Sequence, residues 1–220
     1  MFESAELGHK VDKKTFKTEV PKLRAELLDV QYDMLEKKEF PVVILISGVD
    51  GSGKGETINL LYSWMDPRHI STLAFSEASD EERSRPHMWR YWRALPPKGK
   101  IGMLFGSWYT APIIDRVFKR SRNGDLLQSL DEIRRFERML ADDGVLLLKF
   151  WFHLSKKRQR ERLKALEADS LTNWRVTPRD WDFFKSYDRF YKISEETLRQ
   201  TSVPWAPWTV VEGSDPQYRV

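Results

Sequence analysis

A glycine-rich stretch, GVDGSGKGE at residues 48–56, contains the residue types that proteins use to hold phosphate groups. It follows the apolar run VVILIS and has the spacing Gly48-x-x-x-x-Gly53-Lys54. Glycines let backbone amides turn toward phosphate oxygens, while a following helix and the lysine add positive charge. The alternative is a simple glycine-rich turn with an exposed lysine. We predict a phosphate-binding loop whose members are Gly48, Gly51, Ser52, Gly53, Lys54, Gly55 and Glu56.

The loop lacks the hydroxyl that usually binds magnesium. Gly55 stands where such loops normally carry Ser or Thr, and Mg²⁺ prefers hard oxygen ligands. Asp50, inside the loop, can offer a carboxylate instead, directly or through water. Its alternative role is to accept the hydrogen bonds of an Asx-turn and so hold the loop in shape. We predict that Asp50 is a metal ligand or positions a phosphate.

The elements that must position this loop follow an alternating pattern. Continuous apolar, β-branched runs predict strands buried on both faces, and segments with helical periodicity lie between them. Such alternation predicts an α/β fold with a parallel five-stranded sheet flanked by helices, and its active site lies at the carboxyl ends of the strands. The predicted strands are 40–48, 70–75, 100–109, 145–155 and 206–213, and the predicted helices are 16–40, 56–65, 81–96 (with Pro86 near its start or at a kink) and 126–144.

Two further segments are assigned from length and charge. Residues 1–16 show no periodicity and are expected to be flexible, so the folded domain is expected at 17–220. Residues 155–200 are far more than a crossover between two strands needs, and they are basic, aromatic and helical in pattern. We predict that they form a helical lid. Within them, residues 156–164 (KKRQRERLK) hold six basic residues and one acid, which suits either a solvated helix face or a polyanion-binding surface.

Composition excludes several classes of protein. The 220 residues include no cysteine, so disulfides and thiolate metal sites are excluded. No apolar stretch approaches the roughly 20 residues of a membrane helix, and the N-terminus lacks the apolar region of a signal peptide. We therefore expect a cytoplasmic protein without a membrane partner. The net charge of +4 does not by itself indicate nucleic acid, and only the run at 156–164 favours that partner.

The loop and four later stretches resemble the polyphosphate kinase 2 family. GVDGSGKG is similar to the first phosphate-binding motif of that family, and the other stretches occur in the family's order over nearly the whole chain. The region from Arg85 to Pro112 looks most like the N-terminal half of the two-domain polyphosphate:AMP phosphotransferases. The matching stretches are residues 88–109, 136–163, 173–184 and 201–211.

This resemblance implies a P-loop, thymidylate-kinase-like three-layer fold with a helical lid, acting with Mg²⁺. It implies transfer of phosphoryl groups between inorganic polyphosphate and AMP or ADP, and a partner that is either a second kinase domain or another copy of the chain. Family members also have Gly at the position of Gly55 and use the loop aspartate, here Asp50. Arginines in matching stretches are candidates to neutralise phosphate charge, so the catalytic candidates are Asp50, Lys54, Arg93 and Arg175.

One stretch departs from the family. Active members carry DRSWY at the end of the third strand, whereas residues 105–109 are FGSWY, with Gly106 in place of the Asp-Arg pair. Losing a metal ligand and a transition-state cation costs on the order of a thousandfold in rate or more. The chain is therefore expected to be a phosphotransferase domain with weak activity, a degenerate copy within a larger two-domain enzyme.

Three alternatives to an active phosphotransferase stay open. One is a non-catalytic polyphosphate-binding domain of a two-domain enzyme, and another is a thymidylate-kinase-like small-molecule kinase, which Gly55 and the downstream motifs weaken. A nucleic-acid-binding module has the least support. Trp108 and Tyr109 either stack on a base or pack in the core, and packing is the expected role because the chain is rich in aromatic residues.

Overall fold

A computed structural model describes all residues 1–220, and its centre is the predicted parallel sheet. The strand order is β2-β3-β1-β4-β5, and every neighbouring pair is parallel. The middle strand, β1, is rich in β-branched residues and buried on both faces, as its continuous apolar run predicts. The strands are β1 (Val42–Gly48), β2 (Ile70–Ala74), β3 (Ile101–Phe105), β4 (Leu146–His153) and β5 (Trp208–Glu212).

Nine α-helices and three short 3₁₀ helices connect and flank the strands. No helix is both long and apolar enough to cross a membrane. The helices are α1 (Lys13–Lys37), α2 (Lys54–Trp64), α3 (Asp80–Arg83), α4 (Trp89–Trp92), α5 (Thr110–Val117), α6 (Asn123–Asp142), α7 (Lys156–Ala168), α8 (Pro178–Lys185) and α9 (Tyr187–Thr201), and the 3₁₀ helices are Phe2–Ala5, Pro67–His69 and Asn173–Arg175.

The helical predictions are largely confirmed, with one division. The segment predicted as a helix over 81–96 contains two short helices, α3 and α4, and they are separated around Pro86, which cannot donate a helical hydrogen bond. Helix α6 ends where predicted, just before Gly144, which has the left-handed φ of +86° typical of a helix C-terminus.

Two apolar layers enclose the sheet and give the predicted three-layer architecture. The larger one lies between the sheet and helices α5, α6 and α9, and includes Leu104, Ile133 and Leu198. The smaller one lies on the other face, where Ile58 and Trp64 of α2 pack against the sheet and part of α1 covers it. Burial on both faces explains why the strands carry little polar sequence.

A polar cluster crosses the larger layer. Glu137 of α6 and Lys149 of β4 form an ion pair of 2.7 Å, and both side chains are 0% exposed. Trp108 Nε1 and Tyr109 Oη donate to Glu137 Oε1 at 3.0 and 2.7 Å, while Lys149 Nζ also donates to the carbonyl of Thr201. Trp108 and Tyr109 therefore belong to the core, and the packing interpretation of these two residues is the correct one.

The N-terminal segment is docked, contrary to the prediction that residues 1–16 are flexible. Phe2 is fully buried and stacks on His153 at 4.5 Å between ring centroids. The terminal amine pairs with Glu195 at 2.6 Å, and the backbone amides of Gly8 and His9 donate to Glu212. A single buried phenylalanine and two capping carboxylates hold this segment, and none of them produces a periodic sequence pattern.

The segment predicted as the lid, 155–200, divides into two parts. Helices α7 and α8, with the 3₁₀ turn Asn173–Arg175 between them, lie next to each other, and α7 reaches the glycine-rich loop. Helix α9 packs instead against α5 and α6, and its Ile193 and Leu198 join the larger core layer. A lid is therefore compatible with residues 156–185 only, because α9 is part of the larger core layer.

Candidate functional site

The glycine-rich loop forms one wall of a cavity of about 320 Å³ at the carboxyl edge of the sheet. Strand β1 supplies its floor, and β3 ends on the opposite side. Helix α8 closes the top with Arg179 and Asp180. The cavity brings together Asp50 and Lys54 from the loop with these two residues of α8, at the edge where parallel α/β sheets bind their ligands.

The loop connects β1 directly to α2, as the glycine spacing predicts. The backbone amides of Gly51, Gly53, Lys54 and Gly55 donate to no acceptor within the chain. Amides at the start of a helix lack internal partners, and they carry the positive end of the helix dipole. The loop therefore offers a set of free donors that suits the oxygens of a phosphate group.

Lys54 is folded into the loop. Its Nζ donates to the carbonyl oxygens of Gly48 and Val49 at 2.7 and 2.8 Å and lies 3.6 Å from Asp50 Oδ1. Burial lowers the pKa of Lys54, while the nearby carboxylates of Asp50 and Asp180 act in the opposite direction. An anion entering the cavity would stabilise the charged ammonium, because an opposite charge nearby favours the protonated form of a buried lysine.

Two predicted loop members, Ser52 and Gly55, differ in how the loop depends on their side-chain positions. Ser52 is fully buried, and its hydroxyl donates to the carbonyl of Val49 at 2.7 Å, which stabilises the turn. At Gly55 an added Cβ would meet no atom within 4 Å, so packing does not require glycine there. Space for the missing hydroxyl is therefore present, although the chain does not provide one.

Asp50 has the exposure expected of a metal ligand. Its carboxylate is 43% exposed and lies beyond hydrogen-bond distance of the Lys54 ammonium. The chain has no group of three or more His, Cys, Asp or Glu side chains that could hold a metal alone. Mg²⁺ usually takes one or two carboxylates and completes its shell with water and phosphate oxygens. The donor set therefore fits a cation that enters together with a phosphate.

Glu56, in the first turn of α2, is surrounded by three arginines. Arg162 of α7 approaches its Oε1 at 2.7 Å, and Arg175 approaches the same oxygen at 3.6 Å. Arg219, near the C-terminus, pairs with Oε2 and is 7% exposed on its side chain. Glu56 thus connects the predicted lid to the loop, with arginines that lie next to the free loop amides.

Arg219 also explains one glycine of the loop. Gly53 has a φ of +93°, and a Cβ at this position would lie 2.4 Å from the guanidinium carbon of Arg219. The arginine therefore lies flat against the loop backbone, where a side chain would exclude it. It also donates to the carbonyl of Gly213 at 3.2 Å, so the segment after β5 is fixed on the loop.

The structure separates the two arginines predicted as catalytic. Arg175 reaches Glu56 beside the loop. Arg93 is exposed, its guanidinium lies over the Trp89 ring at 4.8 Å, and it is not among the residues that line the cavity. The structure therefore does not bring Arg93 to the loop, because stacking on its neighbour holds it elsewhere.

Four residues near the loop were not predicted as site residues. Arg162 lies in the basic run at 156–164 but was not singled out, and the positive charge of that run was the available signal. Arg179 and Asp180 lie in a matching stretch beside Arg175. Arg219 gave no signal, because its partner Glu56 is 163 positions away in the sequence.

The wall formed by β3 lacks charge. Phe105 and Gly106 occupy the cavity side of the strand end, and Phe75 lies beside them. Gly106 has a φ of +74°, and a Cβ there would lie 2.9 Å from the carbonyl oxygen of Phe75. The cavity therefore has a charged side, made by the loop and α8, and an apolar side, made by β3.

Comparison with known proteins identifies relatives along the whole chain. The family model for polyphosphate kinase 2 matches residues 10–220. A polyphosphate:AMP phosphotransferase of Pseudomonas aeruginosa is 52% identical over 219 residues, and one of Pseudomonas syringae pv. tomato is 47% identical over the same length. Both alignments cover 100% of this chain and 44% of the relative, so the chain spans less than half the length of these relatives.

A solved structure shares the fold. The crystal structure of a polyphosphate kinase 2 from Pseudomonas aeruginosa superposes with a TM-score of 0.90 and 49% identity, covering 100% of this chain and 44% of that chain. The predicted α/β class, the P-loop kinase fold and the predicted family resemblance are thereby confirmed.

Proposed function

Because the chain belongs to the polyphosphate kinase 2 family, we propose that it is a polyphosphate-dependent nucleotide phosphotransferase domain that converts AMP to ADP. The observation that carries this proposal is the cavity at the carboxyl edge of the sheet, where free loop amides, Lys54 and Asp50 face Arg179 of α8. The chain covers 44% of each phosphotransferase that it resembles, which also fits one domain of a larger enzyme, with a second kinase domain or another copy as partner.

The reaction moves one phosphoryl group. A phosphate oxygen of AMP attacks the terminal phosphorus of polyphosphate, the bridging P–O bond breaks, and the shortened polyphosphate leaves with the electron pair. Because the attacking oxygen is already ionised, no general base is needed. Such a reaction depends on positioning and on neutralising charge, which is what backbone amides, a lysine and arginines provide.

The named residues divide this task. The free amides of Gly51, Gly53, Lys54 and Gly55, together with the ammonium of Lys54, hold the terminal phosphates of the donor. Arg162 and Arg175 lie in residues 156–185, the part of the predicted lid (155–200) outside α9, and they can exchange Glu56 for phosphate oxygens when a polyanion enters. A lid that carries arginines and closes on the substrate also excludes water, which competes with AMP for the phosphoryl group.

A divalent metal is expected of a kinase of this family, and we propose Mg²⁺, held by Asp50 and phosphate oxygens. The metal supplies charge neutralisation at the transferred phosphoryl group. Asp50 is suited to this role because its carboxylate is half exposed and has no hydrogen-bond donor in the chain. The Asx-turn alternative has no support, since no hydrogen bond to its carboxylate shapes the loop.

The apolar wall made by Phe105 and Gly106 favours a second candidate function. Without a carboxylate or a guanidinium at the end of β3, the cavity can bind phosphate while providing fewer charges for the transition state. A polyphosphate-binding domain with little or no turnover of its own is therefore the alternative, and slow turnover is expected even under the main proposal.

One experiment separates these functions. ADP formation from AMP is measured with polyphosphate as the only phosphoryl donor and Mg²⁺ present, alongside calorimetric binding of tripolyphosphate. We expect binding together with turnover below the roughly 1–100 s⁻¹ of ordinary kinases. Binding without any ADP would support the binding-domain alternative, turnover at ordinary kinase rates would refute the expectation of weak activity, and a chain that does neither would contradict both functions.

A further inference from the structure

The outward face of α7 carries three cations that pair with nothing else in the chain. Lys157, Arg160 and Lys164 are exposed, and no carboxylate lies within 4.0 Å of their charged groups, whereas their neighbour Arg158 pairs with Glu161. With 3.6 residues per turn, positions 157, 160 and 164 share one helix face. The three cations therefore form a continuous stripe about 10 Å long along the helix, at 1.5 Å per residue.

The opposite face of the same helix is fixed on the fold and on the loop. Gln159, Leu163 and Leu166 are buried, and Gln159 Nε2 donates to the carbonyl of Asp50 at 3.2 Å. Arg162, toward the loop side, reaches Glu56. Helix α7 thus separates the cavity from the cationic stripe, and a linear anion that leaves the cavity meets the stripe after passing one helix diameter.

The stripe lines a groove rather than a flat surface. The groove has a volume of about 670 Å³, and Phe184 of α8 forms its apolar side. Four cations and one acid, Glu161, line it, and Lys156 is the one cation among the four that has an ion-pair partner, Asp188. Uncompensated like charges in a groove repel one another and attract a polyanion, because their potentials add.

We propose that this groove is a second binding site for long-chain polyphosphate, separate from the loop cavity. The inference rests on the proposed function, since it assigns a binding track to the donor named there. A polyphosphate carries a charge on every unit and offers no bases or side chains, so it needs only spaced cations. Single-stranded nucleic acid is favoured by aromatic platforms on which bases stack, and the groove offers only the half-buried Phe184.

The test compares donors of two lengths in the full chain. The variant Lys157→Gln, Arg160→Gln, Lys164→Gln removes the stripe, and the matched control Arg134→Gln, Arg135→Gln, Arg138→Gln makes the same charge change on α6. Binding of tripolyphosphate and of long-chain polyphosphate is measured by calorimetry at several salt concentrations. We expect the stripe variant to lose about tenfold in affinity for the long chain, with a shallower salt dependence, and to bind tripolyphosphate normally.

The possible outcomes are distinct. An equal loss in the α6 control would mean that net charge alone attracts polyphosphate, and an unchanged affinity of the stripe variant would remove the site. Tighter binding of single-stranded nucleic acid than of polyphosphate, lost in the stripe variant, would assign the groove to that ligand and overturn the proposal. Absence of tripolyphosphate binding in the unaltered chain would instead count against the proposed function, whereas a stripe-dependent affinity for the long chain would still support the groove.

Discussion

Two glutamates, Glu137 and Glu56, each accept hydrogen bonds from several cationic or aromatic donors, and their surroundings differ. Glu137 is 0% exposed and meets Lys149, Trp108 and Tyr109 in the middle of the larger core layer. Glu56 is 33% exposed and meets arginines from α7, from the turn before α8 and from the C-terminus. The first cluster joins a helix to a strand, and the second joins part of the predicted lid to the loop.

The difference indicates what each cluster does. Every member of the Glu137 cluster is held by a neighbour, and water cannot replace a lost partner, so the cluster specifies one arrangement of the core. Arg162 and Arg175 beside Glu56 are partly solvated, so they can change partners at small cost, whereas Arg219 is buried and stays on the loop. We therefore expect the buried cluster to serve stability and the half-exposed cluster to take part in binding.

The largest expected effect comes from breaking the buried pair. Lys149→Ala leaves Glu137 charged without its cation, which costs about 3–5 kcal/mol of unfolding free energy. Urea denaturation, monitored by circular dichroism, measures this loss of unfolding free energy. The matched control is Lys156→Ala, which breaks the exposed pair with Asp188 and should cost less than about 1 kcal/mol. Equal costs for the two variants would remove the distinction between buried and exposed pairs.

Next in size is the effect of Lys54→Ala on phosphate binding. Removing the ammonium eliminates a charge-assisted contact worth about 1.5–3 kcal/mol, so tripolyphosphate affinity should fall by roughly ten- to a hundredfold. Isothermal titration calorimetry measures the change, and Lys98→Ala, an exposed lysine in the turn before β3, is the control. An unchanged affinity in a folded Lys54 variant would show that the Lys54 ammonium does not contact the phosphate.

A smaller effect is expected from Glu56→Gln. This variant should lower the stability of the fold and raise its affinity for tripolyphosphate. Unfolding free energy should fall by about 1–2 kcal/mol, because Arg162 and Arg175 are partly exposed and the glutamine amide still accepts a hydrogen bond from the buried Arg219. Tripolyphosphate affinity should rise a few-fold, since Arg162 and Arg175 no longer compete for a carboxylate. Calorimetry without metal isolates this effect. A loss of affinity would mean that Glu56 positions the arginines rather than occupying them.

The smallest effect concerns His153, whose ion pair is less buried than the Glu137 pair and less exposed than most of the pairs around Glu56. It is buried, while its partner Glu6, 2.8 Å away, is 31% exposed. Burial lowers the pKa of His153, although Glu6, Glu195 and Glu212 act in the opposite direction. The unfolded chain then binds the proton more readily, so stability is retained above pH 6.5, the ordinary value for histidine, and declines as the pH falls below it.

Urea denaturation at pH 7.5 and pH 5.5 tests this sign, with His153→Gln as the comparison. The unaltered chain should lose more stability between the two pH values than the variant does. The same loss in both chains would assign the acid sensitivity to other groups.

Sequence patterns were sufficient to predict those elements whose structure is determined by residues close together in the chain. The strand before the loop, the loop itself and the start of α2 follow from an apolar run and glycine spacing. The end of α6 follows from Gly144. Arg175 was predicted as a site residue from a short stretch similar to the family, and it lies beside Glu56. These features depend on residues within a few positions of one another.

Features that join distant positions escaped prediction. Arg219 meets Glu56 across 163 residues, and nothing in its own neighbourhood indicates the contact. Phe2 lies in a polar stretch, so its burial was missed and the N-terminus was predicted to be flexible. Lys149 did give a signal, because a lone lysine within an apolar strand requires a buried partner. The identity of Glu137 as that partner depends on how α6 packs against β4.

The backbone at Gly106 limits which side chains this position can accept. Its left-handed conformation costs a non-glycine residue about 1–2 kcal/mol, and the carbonyl of Phe75 occupies the space of a Cβ. An arginine introduced here to add charge to the cavity would therefore impair folding before it could improve catalysis. An engineering route toward faster turnover would have to shift the Phe75 backbone first, so the order of substitutions is constrained.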